Sequence, residues 1–299
     1  MTRQDRSSLP TRPDPGKLLG TTVEPSHART VRPLVPALLC LLGFLAVYLI
    51  AVCTPFGQRA ENSLIFENAS AKPAWAYAWS GVAYGSSAMP PLDRTAMPTV
   101  FVGLVVIAAV TVVRRCWWHG LAAAGIVVAT LGSKVLTRGL PRPDLVGARD
   151  SLLEASFPSG HTAIPAGLAL GAVLVSCPRS RPYVTAAGML WLTVTAAAVQ
   201  ATYQHRPSDV LGATLLACAC YGLATRLLPP AGAPGVTRHP RALPAAALAL
   251  SAAGALVAGA RDDSVTQSLV FAASAFLCSV LFWFTTAQRP ERIPRRAEG

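Results

Sequence analysis

The sequence predicts an all-α fold, a polytopic bundle of membrane helices, on three observations. Hydrophobic residues make up 52% of the 299 positions and charged ones only 13%, and the mean hydropathy is +0.44. The apolar residues gather into eight runs, most of them near the roughly 20 residues that cross about 30 Å of hydrocarbon. Nearly all the charge falls between those runs, where the chain returns to water. Together these features set the chain in the membrane class and against a water-soluble domain of this length.

Residues 1–33 are polar, proline-broken and basic, and read as a disordered cytoplasmic tail. A first span follows at 34–53, as an uncleaved anchor. The longest connection, 54–96, holds Trp75, Tyr77, Trp79 and Tyr84, which suit either a short piece at the headgroup level or an ordinary loop. Further spans are expected at 97–113, 117–136, 162–177, 183–202 and 208–228. A Pro/Gly-rich cytoplasmic loop covers 229–242, two more spans occupy 243–286, and 287–299 form a basic cytoplasmic tail. The alanine-rich stretch 243–260 suits close packing through small residues, within the bundle or across a homodimer.

Eight spans put both termini on one side. With that side cytoplasmic, 17 of the 26 lysines and arginines lie inside, as the positive-inside tendency asks. The net charge of +12 is then a matter of topology. Basic residues flank apolar runs and form no aromatic-interleaved patch, so the expected partner is the lipid bilayer and not nucleic acid. Seven cysteines without a CxxC pair, most in or beside apolar runs, predict neither a disulfide framework nor a zinc site.

Two polar knots interrupt this pattern, and in the expected orientation both face outward. Ser156-Phe157-Pro158-Ser159-Gly160-His161 opens the fourth span and His205-Arg206-Pro207-Ser208-Asp209 opens the sixth. A helix start after small residues offers free amides to an anion, and Ser159 adds a hydroxyl. His205 and Asp209, spaced i,i+4, suit a carboxylate-oriented imidazole with its second nitrogen turned outward. Lys134 and Arg138 share a helix face, with Arg142 close behind, and three cations opposite two histidines suit a phosphate clamp. Each piece has a plainer reading: Ser159 as a helix cap, Asp209 as a favourable charge at a helix dipole, Lys134 and Arg138 as interfacial anchors. Asp144, Asp150 and Glu154 pair readily with Arg142 or Arg149 and form no metal cage, so metal-independent chemistry without a cofactor is expected.

These residues resemble the signature of the type 2 phosphatidic acid phosphatase (PAP2) superfamily over about residues 97–228. That signature is a lysine followed after six residues by Arg-Pro, then Pro-Ser-Gly-His, then Ser-Arg followed after five residues by His, with Asp four beyond. Pro158-Ser159-Gly160-His161 matches in full, and His205, Asp209 and the following Val210-Leu211-Gly212 also match. The resemblance implies a six-helix core, here 34–228, with the last two spans outside it. It implies His205 as the nucleophile that becomes a phosphohistidine, Asp209 as its orienter, and His161 as the proton donor to the leaving group. Lys134, Arg142, Ser159 and the Gly160 backbone would hold the phosphoryl oxygens. Two positions depart from the pattern: seven residues separate Lys134 from Arg142, and the Ser-Arg pair is Ala198-Val199. Arg138, which shares the Lys134 face, is the expected substitute for the missing arginine, with Arg206 or Gln200 as alternatives.

The expected activity is hydrolysis of a membrane lipid phosphate or diphosphate, with polyprenyl diphosphate, phosphatidic acid and phosphatidylglycerol phosphate as candidate substrates. A non-catalytic lipid-phosphate binding or transport protein is the alternative from another class. A lipid phosphotransferase is the alternative within enzymology.

Overall fold

The computed structural model describes residues 30–31, 34–65, 97–137, 142–149, 152–153, 156–228, 242–260, 264–287 and 291–292. Among them the chain is almost wholly helical. The helices are α1 (Val35–Cys53), α2 (Pro55–Asn62), α3 (Met97–Arg114), α4 (Trp117–Thr137), α5 (Gly160–Val175), α6 (Arg181–Ala201), α7 (Pro207–Leu227), α8 (Ala242–Gly259) and α9 (Val265–Ala287). Thr30–Val31 and Glu291–Arg292 pair as a two-stranded antiparallel ribbon, which brings the two chain ends together.

Four helices, α1, α6, α7 and α9, are long and apolar enough to cross a membrane, and α3, α5 and α8 are apolar but shorter. Eight spans of crossing length were expected, so length and composition carry four of them unaided. The shortfall is clearest in α5, which at 16 residues rises only about 24 Å. It packs against α3, α4, α6 and α7, and nearly all of it is buried. A helix enclosed by others need not reach both water surfaces. The aromatic residues 75–84, expected at the headgroup level, lie outside the described residues.

The core is formed where α5 meets α4, α6 and α7, with α9 closing it against α6, α7 and α8. Small residues set these distances. A Cβ on Gly188 of α6 would stand 2.7 Å from the Ala169 Cβ of α5. A Cβ on Gly212 of α7 would stand 2.4 Å from the Phe157 ring, which is also flanked by Phe44 and Tyr48 of α1 at 5.3 Å each. The glycine that follows Asp209 by three residues therefore makes room for the aromatic that leads into Pro158-Ser159-Gly160-His161.

The last two helices, α8 and α9, pack against the rest of the bundle. Gln200, fully buried on α6, spends its amide on α9: Oε1 accepts from Ser274 Oγ at 2.8 Å, while Nε2 donates to the Ala196 carbonyl at 2.8 Å and the Phe271 carbonyl at 3.5 Å. All seven cysteines are free thiols.

Two substitutions test this packing. Gly212→Ala should destabilise by about 1–3 kcal/mol through overpacking, seen as an earlier thermal midpoint in detergent, and Phe157→Leu in the same chain should recover part of it. Ser274→Ala removes the donor to Gln200 and should cost about 1 kcal/mol; an unchanged midpoint would show that α9 does not brace α6 through this bond.

Candidate active site at the meeting of four helix ends

The site grows from the way four helix ends are satisfied. A helix leaves its last four carbonyls and first four amides unpaired, and near hydrocarbon they need protein partners. At the end of α1, the Ile50 carbonyl accepts from Thr54 Oγ1 at 2.6 Å, that of Val52 from Gln58 Nε2 at 2.8 Å, and that of Ala51 from Arg142 Nη2 at 3.4 Å. Thr54 also caps α2 by accepting the Gly57 amide at 3.0 Å. Position 57 must be glycine for α2 to fold back so tightly, because a Cβ there would lie 2.0 Å from the Ile50 carbonyl oxygen.

At the start of α7, Arg206 is the N-cap. Asp209 Oδ2 accepts the Arg206 amide at 3.0 Å, and the Ser208 amide donates to Glu61 Oε1 at 3.0 Å. At the start of α5, Ser159 Oγ accepts the Thr162 amide at 3.2 Å, and the Ser159 amide donates to the Asp209 carbonyl at 3.0 Å. That last bond joins the two histidine motifs by their backbones.

The end of α6 delivers His205. Val199 O accepts the amides of Gln204 at 3.0 Å and His205 at 3.2 Å, and the chain reverses at Tyr203, whose φ of +58° is in the left-handed region. Glycine is the usual residue there. Tyr203 is steadied instead by α9, donating from its hydroxyl to Gln267 Oε1 at 3.2 Å and meeting Phe271 edge-on.

These constraints bring the predicted pair together. His161 Nδ1 lies 3.1 Å from His205 Nε2, and His205 Nδ1 lies 3.3 Å from Asp209 Oδ2. His205 is 8% exposed, Asp209 fully buried and His161 partly open. The arrangement is a relay of carboxylate, imidazole and imidazole, in which Asp209 favours a proton on His205 Nδ1. The remaining nitrogen, Nε2, then carries a lone pair directed at His161.

The predicted anion-holding residues fall into two groups. Ser159 and Gly160 stand at the start of α5, beside the histidines. Arg142 is buried, with Nη2 on Glu61 Oε2 at 3.4 Å as well as on Ala51. Asp144, expected to pair with Arg142 or Arg149, is exposed, and its Oδ1 accepts the amides of Val146 and Ala148. Those amides hold its carboxyl below the usual range. Lys134 lies on α4, with its side chain outside the described residues, as are all of Arg138, Asp150 and Glu154.

Ala198 and Val199, where an arginine was expected by resemblance, are buried in the core. Gln200 turns to α9 and does not face the histidines. Arg206 is the nearest described cation on that strand of the site. It is 4% exposed and donates to Ser156 Oγ at 3.2 Å, Asn62 Oδ1 at 3.3 Å and the Leu152 carbonyl at 2.8 Å. Burial first, and then the charge of Arg142, lower its pKa.

Sequence reasoning missed Gln58 and Glu61. Gln58 Nε2 donates to the Pro143 carbonyl at 2.6 Å and its Oε1 accepts the Leu145 amide at 3.3 Å, so α2 grips the segment that carries Arg142. Burial, and then the neighbouring Asp209 charge, raise the pKa of Glu61, against the pull of Ser208 and Arg142. The available signal was Thr54-Pro55, a helix start placed directly after a span. Among the described residues, no group of three His, Cys, Asp or Glu side chains is placed to hold a metal ion.

No curated protein and no solved structure matches the chain. The family model described as the PAP2 superfamily matches residues 115–232, from just after α3 through α7, taking in both histidine motifs and leaving out α1, α2, α3, α8 and α9.

Proposed function

We propose that the protein is an integral-membrane phosphatase that hydrolyses a lipid phosphate or diphosphate through a phosphohistidine. The observation that carries this reading is the relay from Asp209 through His205 to His161, with 3.3 and 3.1 Å between successive polar atoms. The likeness of residues 115–232 to the PAP2 superfamily supports it. So do the four helices fit to cross a membrane.

In the first half-reaction His205 Nε2 attacks phosphorus, the P–O bond to the leaving group breaks, and His161 gives that oxygen a proton. Asp209 accepts the Nδ1 hydrogen and stabilises the positive imidazole. In the second half, water attacks the same phosphorus, His161 takes its proton, and the P–N bond breaks to free inorganic phosphate. The attack requires the His161–His205 contact to open, so substrate takes the place of that hydrogen bond. Ser159, the Gly160 amide, Lys134, Arg142 and Arg138 are the proposed holders of the phosphoryl oxygens.

The proposed architecture is a six-helix core, 34–228, with two further spans in 243–286. Both termini lie in the cytoplasm and the site is on the outer face. The distribution of arginines and lysines supports this orientation, and the Thr30–Val31 pairing with Glu291–Arg292 supports termini on one side. The second reading, a non-catalytic lipid-phosphate binding or transport protein, is favoured by one observation: Ala198 and Val199, where the resemblance expects Ser-Arg, are buried and bring no cation to the histidines.

Phosphate release from polyprenyl diphosphate, phosphatidic acid and phosphatidylglycerol phosphate, measured in detergent with excess chelator, decides between the two. His205→Ala should lose at least about 10³-fold and Asp209→Asn about 10²-fold or more, while His161→Ala given a nitrophenyl ester should accumulate acid-labile phosphate on His205. Saturable binding by folded wild type without release from any substrate would favour the binder.

Orientation is tested at Cys177, in the turn from α5 to α6 at the opposite end from the histidines. The Ser180 hydroxyl, 3.1 Å from its sulfur, lowers its pKa and favours the reactive thiolate. In a chain with the other six cysteines replaced, an impermeant maleimide should label it only after the membrane is opened. Labelling of intact cells would reverse the topology.

A further inference from the structure

Glu61 lies on α2, outside the stretch that resembles a known family, and none of the proposed chemical steps uses it. It is nonetheless the side chain on which two distant parts of the site converge. Its Oε1 takes the Ser208 amide in the first turn of α7, one residue before Asp209, and its Oε2 takes Arg142. The distances in sequence are 147 and 81 residues, so the contact is built by the fold and not by local chain geometry. Three residues earlier on the same face, Gln58 holds Pro143 and Leu145.

A carboxylate that is 7% exposed costs desolvation, and an ion pair in such a place is a poor source of stability. Its geometry offers a different benefit. Arg142 stands on a segment separate from the histidines, and its guanidinium has no covalent route to them. Glu61 is bonded at once to that guanidinium and to the helix start that bears the His205–Asp209 pair. Without the carboxylate, Arg142 and Arg206 would also face each other with one fewer negative charge between them.

We propose that Glu61 is a positioning residue of the phosphoryl-transfer site, fixing the Arg142 guanidinium relative to the His205–Asp209 pair. The proposal rests on the phosphatase reading for its kinetic consequence, and on geometry alone for the tie itself. Glu61→Gln keeps the size and an acceptor for the Ser208 amide while removing the charge that orients Arg142. Glu61→Asp keeps the charge on a shorter arm.

The test uses the full chain in detergent, comparing wild type, Glu61→Gln, Glu61→Asp, Arg142→Ala and the double variant Glu61→Gln/Arg142→Ala. Glu61→Gln should lower kcat/KM about tenfold, mostly through KM, Glu61→Asp should lose less, and Glu61→Gln should cost under about twofold once Arg142 is alanine. A purely structural role would make the two losses multiply, and that result, or wild-type kcat/KM in Glu61→Gln, overturns the proposal. Should Glu61→Gln not fold, Glu61→Asp is combined with Arg142→Ala and judged by the same non-additivity.

If wild type releases phosphate from no lipid, the phosphatase reading fails, and amide hydrogen exchange still decides the tie. Faster exchange in Glu61→Gln confined to residues 142–149 and 205–209 supports it. Unchanged exchange there overturns it.

Discussion

Backbone groups at a helix end must be paired somewhere, and where they are buried among other helices the partners come from the protein. The histidine-bearing end of this protein is organised by that requirement. Carbonyls ending α1, and amides starting α5 and α7, are met by Thr54, Gln58, Arg142, Glu61, Ser159 and the Asp209 carbonyl. The residues that satisfy the helices are thus, in several cases, the ones that surround the histidines. Asp209 shows the economy of this plan, since a single oxygen, Oδ2, caps α7 through the Arg206 amide and orients His205.

The helices were legible in the sequence because each apolar run is bounded by charge or proline, and their ends lie within about two residues of expectation, the usual uncertainty of a helix boundary. The meeting of His161 with His205 was legible for a related reason: two knots at the starts of the fourth and sixth spans must share an end of an up-and-down bundle. What surrounds them was less so. Glu61 sits in a polar eight-residue helix whose buried face is Gly57, Gln58 and Glu61, and its partners are far along the chain. Asp144 was expected to pair with Arg142 or Arg149, but its Oδ1 accepts two backbone amides within its own turn, and Arg142 pairs with Glu61. Gln200 seemed a donor for the site, yet α6 turns that residue inward, towards α9.

The two C-terminal helices gain detail in three dimensions. By sequence they lay beyond the family-like stretch, suited to packing within the bundle or across a homodimer, with no internal charge to mark a second site. In the fold, α9 touches α6 and α7 along much of their length and supplies Gln267, Phe271 and Ser274 to the segment that ends in His205. The left-handed turn at Tyr203 has its anchor there. A non-glycine residue in that conformation persists only where its surroundings over-determine it, and here they do so from a helix that lies beyond the family-like stretch.

The unequal lengths of the central helices have a spatial consequence. With 16 residues in α5 and 21 in each of α6 and α7, α5 is about 7 Å shorter at 1.5 Å per residue. The Ser159 amide donates to the Asp209 carbonyl, so the start of α5 stands level with the first turn of α7 and most of the deficit against α7 falls at the far end. One enclosed helix thereby fixes, through a single backbone bond at its start, the level at which the His161 and His205 rings meet.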